Sequence, residues 1–133
     1  MIRTYSFNKE ERLKSRKLIE TLFRNGKAFS VFPYRVIYMP TQLPVNKYPV
    51  QAGFTVSSRN FPHAVDRNRI KRLSRECYRM QKQALYDAVK ARDKQVAVFF
   101  IYTDKKIADL ATLRHKFSVI LNRLQKEIAA DGK

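Results

Sequence analysis

The stretch Ala64-Val65-Asp66-Arg67-Asn68-Arg69-Ile70-Lys71-Arg72-Leu73-Ser74-Arg75-Glu76-Cys77-Tyr78-Arg79-Met80-Gln81-Lys82 decides how the chain folds. Ile70, Leu73, Cys77 and Met80 recur at intervals of three and four, and Ala84 and Ala88 continue the pattern. That period predicts one long amphipathic helix, N-capped by Asp66 and reaching about Lys90. At about 100° per residue, its other side carries Asn68, Lys71, Arg72, Arg75, Arg79 and Lys82, while Arg67 and Arg69 flank the first turn. Only Asp66 and Glu76 oppose these cations. A solvated helix surface normally mixes signs, because opposite charges four residues apart stabilise it and like charges repel. A face of one sign therefore points to an anionic partner. Five of the seven basic residues in 67–82 are Arg, whose fork meets phosphate in bidentate fashion. Asn68 can reach a base edge or a sugar hydroxyl, and the helix start adds free N–H groups beside Arg67 and Arg69. A charged solubilising face is the alternative reading of the same segment.

Upstream, Val50, Ala52, Phe54 and Val56 alternate with Gln51, Gly53, Thr55 and Ser57, the period-two pattern of a strand with one buried face. A second strand runs from Tyr34 to Met39 and ends at Pro40, and the three prolines of residues 40–49 mark a flexible hairpin connection between the two. Further upstream, Ser15 caps a helix that stops at Asn25-Gly26, with Leu18, Ile19, Leu22 and Phe23 on one face. Downstream, residues 95–102 form a near-continuous apolar run, expected of a strand covered on both faces or central in its sheet. A last helix over 109–128 carries Leu110, Leu113, Phe117, Ile120, Leu121, Leu124 and Ile128 on one stripe. The order is a helix, two or three strands, a helix, a strand and a helix. Its simplest packing is an α/β sandwich in which helices partly cover the sheet.

The 133 residues suit one domain, and 44% hydrophobic residues supply a folded interior. Twenty-eight Lys and Arg against eleven Asp and Glu leave a net charge of +17, which is tolerated best beside a polyanion. Nucleic acid is the first expectation and an acidic membrane surface the second. The single cysteine, Cys77, fits a reducing compartment, and the charged N-terminus has no apolar targeting segment. A cytoplasmic protein is expected. Three glycines exclude Gly-rich phosphate loops.

The run from Ala64 to Glu76 resembles the signature helix of the bacterial ribonuclease P protein family, and Ala52-Gly53-Phe54-Thr55-Val56-Ser57 resembles the strand that precedes it. The segment Leu22-Phe23-Arg24-Asn25-Gly26, the apolar strand and the final helix follow in that family's order. The resemblance implies an α+β fold, a single-domain α/β sandwich in the order α-β-β-β-α-β-α. It also implies a left-handed β-α-β crossover like that of a ribosomal protein domain, against the usual right-handed preference. Residues 1–133 would form one RNA-binding domain, with flexible ends at 1–12 and 130–133. The implied function is that of the protein subunit of a ribonucleoprotein endoribonuclease. The catalytic RNA and Mg²⁺ bound mainly by it would cleave the 5′ leader from precursor tRNA, with no cofactor held by the protein alone. The expected partners are the catalytic RNA and that leader, with no membrane and no small-molecule substrate. Arg67, Asn68, Arg69, Lys71, Arg72, Arg75 and Arg79 would serve the RNA face. Phe23, Tyr34, Tyr38, Thr55 and Arg59 are candidates for the leader. The chain departs from the family pattern at Ser58-Arg59, where a Lys pair is usual, and at Pro62-His63.

Two alternatives differ in class. A ribosomal or other structural RNA-binding protein would use the same charge without cleavage. An autonomous ribonuclease would need His63 and His115 as acid and base, yet both read as ordinary surface histidines. Cys77 reads as a small core residue and not as a nucleophile. Phe23 is either core or a stacking platform. Tyr34 and Tyr38 share one strand face, which either opens onto a cleft or packs against helices.

Overall fold

Helix α1 (Arg16–Asn25) begins where Ser15 Oγ accepts from the Leu18 N–H at 3.2 Å, satisfying one of the amide groups that a helix start leaves free. A computed structural model describes residues 7–44 and 47–131. The helix ends at Gly26, whose N–H donates to Leu22 O at 2.7 Å. A Cβ on Gly26 would lie 2.5 Å from that carbonyl and 2.9 Å from Ile37 Cγ2. Close approach to the sheet, rather than a left-handed turn, is what demands glycine there.

Four strands follow: β1 (Lys27–Val31), β2 (Tyr34–Pro40), β3 (Val50–Val56) and β4 (Val96–Tyr102). They lie side by side in the order β1-β2-β4-β3. Strands β1 and β2 form an antiparallel hairpin, β2 pairs antiparallel with β4, and β3 pairs parallel with β4. The expected hairpin across 40–49 is therefore corrected, because β4 sits between β2 and β3. The connection instead crosses the end of β4, held by Thr41 N–H to Gln95 O and Leu43 N–H to Gln95 Oε1. Residues 45 and 46 lie outside the described residues.

Between β3 and β4 run two helices, α2 (Ala64–Gln81) and α3 (Gln83–Ala91), where the spacing predicts one. The helix starts earlier than expected, with His63 at the cap position and Asp66 inside the first turn. There its charge complements the helix dipole. The interruption falls at Lys82, which was expected on the cationic face and instead turns inward, 4% exposed, to pair with the fully buried Glu11. The Tyr86 hydroxyl donates to the same carboxylate at 2.6 Å, Asn8 N–H donates to its other oxygen at 2.7 Å, and Tyr78 donates to Tyr86 at 3.2 Å. Helix α4 (Leu110–Asp131) starts where Asp109 Oδ1 accepts from Thr112 N–H at 2.8 Å.

Those contacts also correct the expected flexible ends. Residues 1–6 lie outside the described residues, but 7–12 are anchored: Phe7 meets Phe54 and Tyr78 edge-on at 5.9 and 5.7 Å, and Arg12 bridges to Ala52 at the free edge of β3. At the other end 130–131 continue α4, while 132–133 lie outside the described residues.

The sheet divides the interior in two. Tyr34, Val36 and Tyr38 of β2, Val50, Ala52 and Val56 of β3, and Val96, Val98, Phe100 and Tyr102 of β4 pack under α2, α3 and α4. On the reverse face, Ile37 and Ala97 pack with Leu13, Leu22 and Leu43, beneath α1 and the 41–44 segment. Burying a Leu-sized side chain contributes about 1.5–3 kcal/mol, so the first and larger cluster dominates stability.

Glu11→Ala should cost about 3–5 kcal/mol in urea unfolding, because it removes the carboxylate facing a buried ammonium. Glu11→Leu combined with Lys82→Met should recover most of that loss.

Candidate nucleic-acid interface

Helix α2 buries Ile70, Ser74, Cys77 and Tyr78 against the sheet, which fixes what it shows outward. Asn68, Arg69 and Arg72 are exposed, while Lys71 and Arg75 are half-buried beside them. The Arg75 guanidinium is held below its ordinary pKa first by burial and then by the like charges of Arg12 and Arg72. Three guanidiniums thus crowd one patch, an arrangement that an anion between them would relieve. Arg12 was not among the residues picked from the sequence, because only the anchoring of 7–12 along β3 brings it there.

Two further residues of the predicted face also make contacts within the chain. Arg67 Nη1 donates to Phe61 O at 2.8 Å and Pro62 O at 2.9 Å, fastening the loop that enters α2. Arg79 pairs with Glu76 one turn back and contacts Met80 Sδ. Met80 is 48% exposed rather than core, and the buried stripe runs instead through Ile70, Ser74, Cys77 and Tyr78. Leu73 is half-buried at the edge of the main cluster.

The reverse face of the sheet offers a second surface. Phe23 is 49% exposed, and its ring meets Phe99 edge-on at 5.3 Å. Phe99 lies over Gly53, where a Cβ would stand only 2.2 Å from the ring, so glycine makes room for it. Strand register sets Gly53 opposite Phe99 and Thr55 opposite Ile101, with Arg35 on the far side of Ile101. Thr55 and Ile101 are half-buried and Arg35 is exposed, so this row continues from Phe99 as a partly open surface of the sheet. Arg59 is exposed in the loop that follows β3, its N–H donating to Ser57 Oγ at 3.2 Å.

Tyr34 and Tyr38 are corrected as leader candidates. Both are 1% exposed on the opposite, helix-covered face. Tyr34 shares a 2.5 Å hydrogen bond with Ser74 of α2, and its ring meets Tyr102 and Phe117 edge-on. The Tyr38 hydroxyl donates to Glu127 at 3.3 Å. Burial raises the pKa of Tyr34 well above the ordinary tyrosine value.

His63 lies exposed at the start of α2, and His115 lies exposed on α4. Burial pushes the Cys77 thiol up to about 11, the opposite of an activated nucleophile. Among the described residues, no three His, Cys, Asp or Glu side chains gather as a metal site requires, and no helix is long and apolar enough to cross a membrane.

The ribonuclease P family profile matches residues 7–125, spanning α1, the sheet, the basic helix and most of α4. The chain belongs to the ribonuclease P protein family. The ribonuclease P protein component of Porphyromonas gingivalis is 35% identical over 129 residues, covering 97% of this chain and 93% of that protein. Its counterpart from Chlorobium phaeobacteroides is also 35% identical, covering 90% and 88%. Among solved structures, the RNase P protein of Staphylococcus aureus superposes with a TM-score of 0.69 at 18% identity, covering 87% of this chain and 96% of that one. That of Thermotoga maritima gives 0.64 at 24% identity, covering 85% and 96%. At those identities the structures show a shared fold, and the sequence relatives show the family. A ribonuclease P protein component acts in the endonucleolytic formation of tRNA 5′ ends.

Tyr34→Phe should cost about 0.5–1.5 kcal/mol of stability through the lost bond to Ser74 and leave RNA affinity unchanged. A separate check uses Cys77, whose pKa is raised by folding. Its contribution to stability should be complete below pH 9 and disappear as pH rises toward about 11, a decline that thermal melts should show less strongly in Cys77→Ala.

Proposed function

We propose that the protein binds the catalytic RNA of ribonuclease P through the exposed side of α2 and the unpaired 5′ leader of precursor tRNA through the cleft beside α1, acting in the cytoplasm. The observation that carries this reading is the crowding of Arg12, Arg72 and Arg75 next to exposed Asn68 and Arg69, on a helix that buries Ile70, Ser74, Cys77 and Tyr78 on its other side. Arg69, Arg72 and Arg75 meet phosphates, and Lys71 and Arg12 add charge at the margin. Arg67 and Arg79 act closer to home, the first holding the loop into α2 and the second steadied by Glu76. The protein thereby screens the repulsion between two polyanions, the catalytic RNA and its substrate.

In the cleft, the Phe23 and Phe99 rings offer faces and edges to unpaired bases. Thr55 supplies a hydroxyl, and Arg35 and Arg59 supply charge at the rim. Stacking of this kind tolerates many leader sequences, since every base has a π-face. Cleavage itself lies with the RNA and its Mg²⁺, and the protein's side chains bind and position.

Reconstitution tests the assignment. Protein alone should leave precursor tRNA intact, while protein plus RNA subunit at low Mg²⁺ should release the leader with a 3′-hydroxyl and leave a 5′-phosphate on the tRNA. Replacing His63 and His115 together should leave that activity intact, whereas a cyclic phosphate product or collapse of cleavage in the folded double variant would overturn it. Arg69→Ala and Arg72→Ala should each weaken RNA-subunit binding by about 1–3 kcal/mol and reduce the magnitude of the negative slope of log K against log salt by about 0.7. Phe23→Ala should weaken holoenzyme binding to precursor tRNA by about 1–3 kcal/mol without affecting mature tRNA. Equal losses for both RNAs would assign the ring to packing.

A further inference from the structure

Phe32, in the turn between β1 and β2, is the most exposed aromatic ring in the described structure at 64%. A lone exposed phenylalanine is ordinary, and its surroundings are what distinguish it. Pro33 O accepts from Thr103 N–H at 2.8 Å and from Thr103 Oγ1 at 3.0 Å. Asn60 Nδ2 donates to Thr103 O at 3.4 Å, and Arg67 holds the carbonyls of Phe61 and Pro62. One chain of hydrogen bonds thus fixes the Phe32 turn, the loop after β3, the loop after β4 and the first turn of α2 at a single end of the sheet.

That end is cationic. Arg59, Lys105 and Lys106 are all exposed there, and Arg69 follows on the first turns of α2. The nearby carboxylate of Asp104 is occupied by the backbone N–H groups of Lys105 and Lys106, at 2.7 and 3.3 Å. An apolar protein partner would call for a contiguous apolar patch, whereas a solitary ring among cations matches a strand whose phosphates and bases alternate. We infer that Phe32 is a stacking platform for an unpaired nucleotide of the catalytic RNA, with Lys105 and Lys106 contacting the flanking phosphates. The RNA subunit is the source because the turn is tied to the start of α2 and the Phe23 cleft lies on the other face of the sheet. This inference rests on the reading that α2 faces that RNA.

The test places the photo-crosslinking analogue p-benzoylphenylalanine at position 32 in the reconstituted holoenzyme, with RNA subunit and precursor tRNA separately labelled. A crosslink to an unpaired stretch of the RNA subunit is expected. A crosslink confined to precursor tRNA, or none to either RNA, overturns the assignment. In parallel, Phe32→Ala and Phe32→Leu should weaken RNA-subunit binding by about five- to 150-fold with the salt slope unchanged, and Phe32→Tyr should retain wild-type affinity. Phe32→Leu keeps the apolar bulk and loses the π-face, and thermal melts of each variant report whether the turn survives. Wild-type affinity in folded Phe32→Leu, alongside the expected loss in Arg69→Ala and Arg72→Ala, sinks the stacking site and leaves the proposed function standing. Wild-type affinity in the two Arg variants sinks that function itself.

Discussion

The parallel pairing of β3 with β4 is the constraint on which the rest of the molecule depends. Parallel neighbours cannot be joined by a turn, so the chain must travel the length of the sheet before β4 can begin. Helices α2 and α3 make that journey, and their crossing packs the basic helix against the sheet and α4. Once Ile70, Ser74, Cys77 and Tyr78 are committed inward, Asn68, Arg69 and Arg72 have no choice of direction. The same pairing puts β4 between β2 and β3, so the most apolar strand is central and covered on one face by helices α2 to α4 and on the other by α1.

Charge is distributed to suit this geometry. The acidic residues are largely occupied: Glu11 neutralises the buried Lys82, Glu76 and Glu127 pair with Arg79 and Arg123, Glu10 reaches Lys47, and Asp104 and Asp109 satisfy backbone amides. Little negative charge remains to balance Arg12, Arg72 and Arg75. Part of the net charge of +17 is therefore concentrated where Arg12, Arg72 and Arg75 meet. Neutralising the buried ammonium keeps the fold intact, and leaving the surface guanidiniums crowded keeps it receptive.

Local signals in the sequence were reliable where local physics governs. Ser15, Gly26, the alternation in 50–56 and the apolar run of 95–102 all mark elements within a residue or so of their bounds. What escaped depends on distant partners. Nothing near Lys82 reveals that Glu11 waits for it, so a continuous three-and-four spacing concealed a break between two helices. Tyr34 and Tyr38 obey the period-two rule, but the rule names a face without saying what covers it. Arg12 and Phe99 were missed for the same reason, although Gly53 inside a strand was a readable hint that something large lies above it.

The Glu11–Lys82 pair joins positions 71 residues apart, and β4, which holds β2 and β3 together, begins only at Val96. During synthesis the chain emerges from its first residue onward, so neither the amino-terminal strap nor the middle of the sheet can form until most of the polypeptide has been made. The basic helix is complete before β4 and α4, which finish the surface it rests on, exist. A nascent chain at that stage carries an unshielded cationic segment, an unpaired β3 and the open edge of the β1–β2 hairpin, all of them liabilities in a crowded cell. Final closure then comes from both ends of the chain at once, with long contacts that favour slow, all-or-none assembly over stepwise growth.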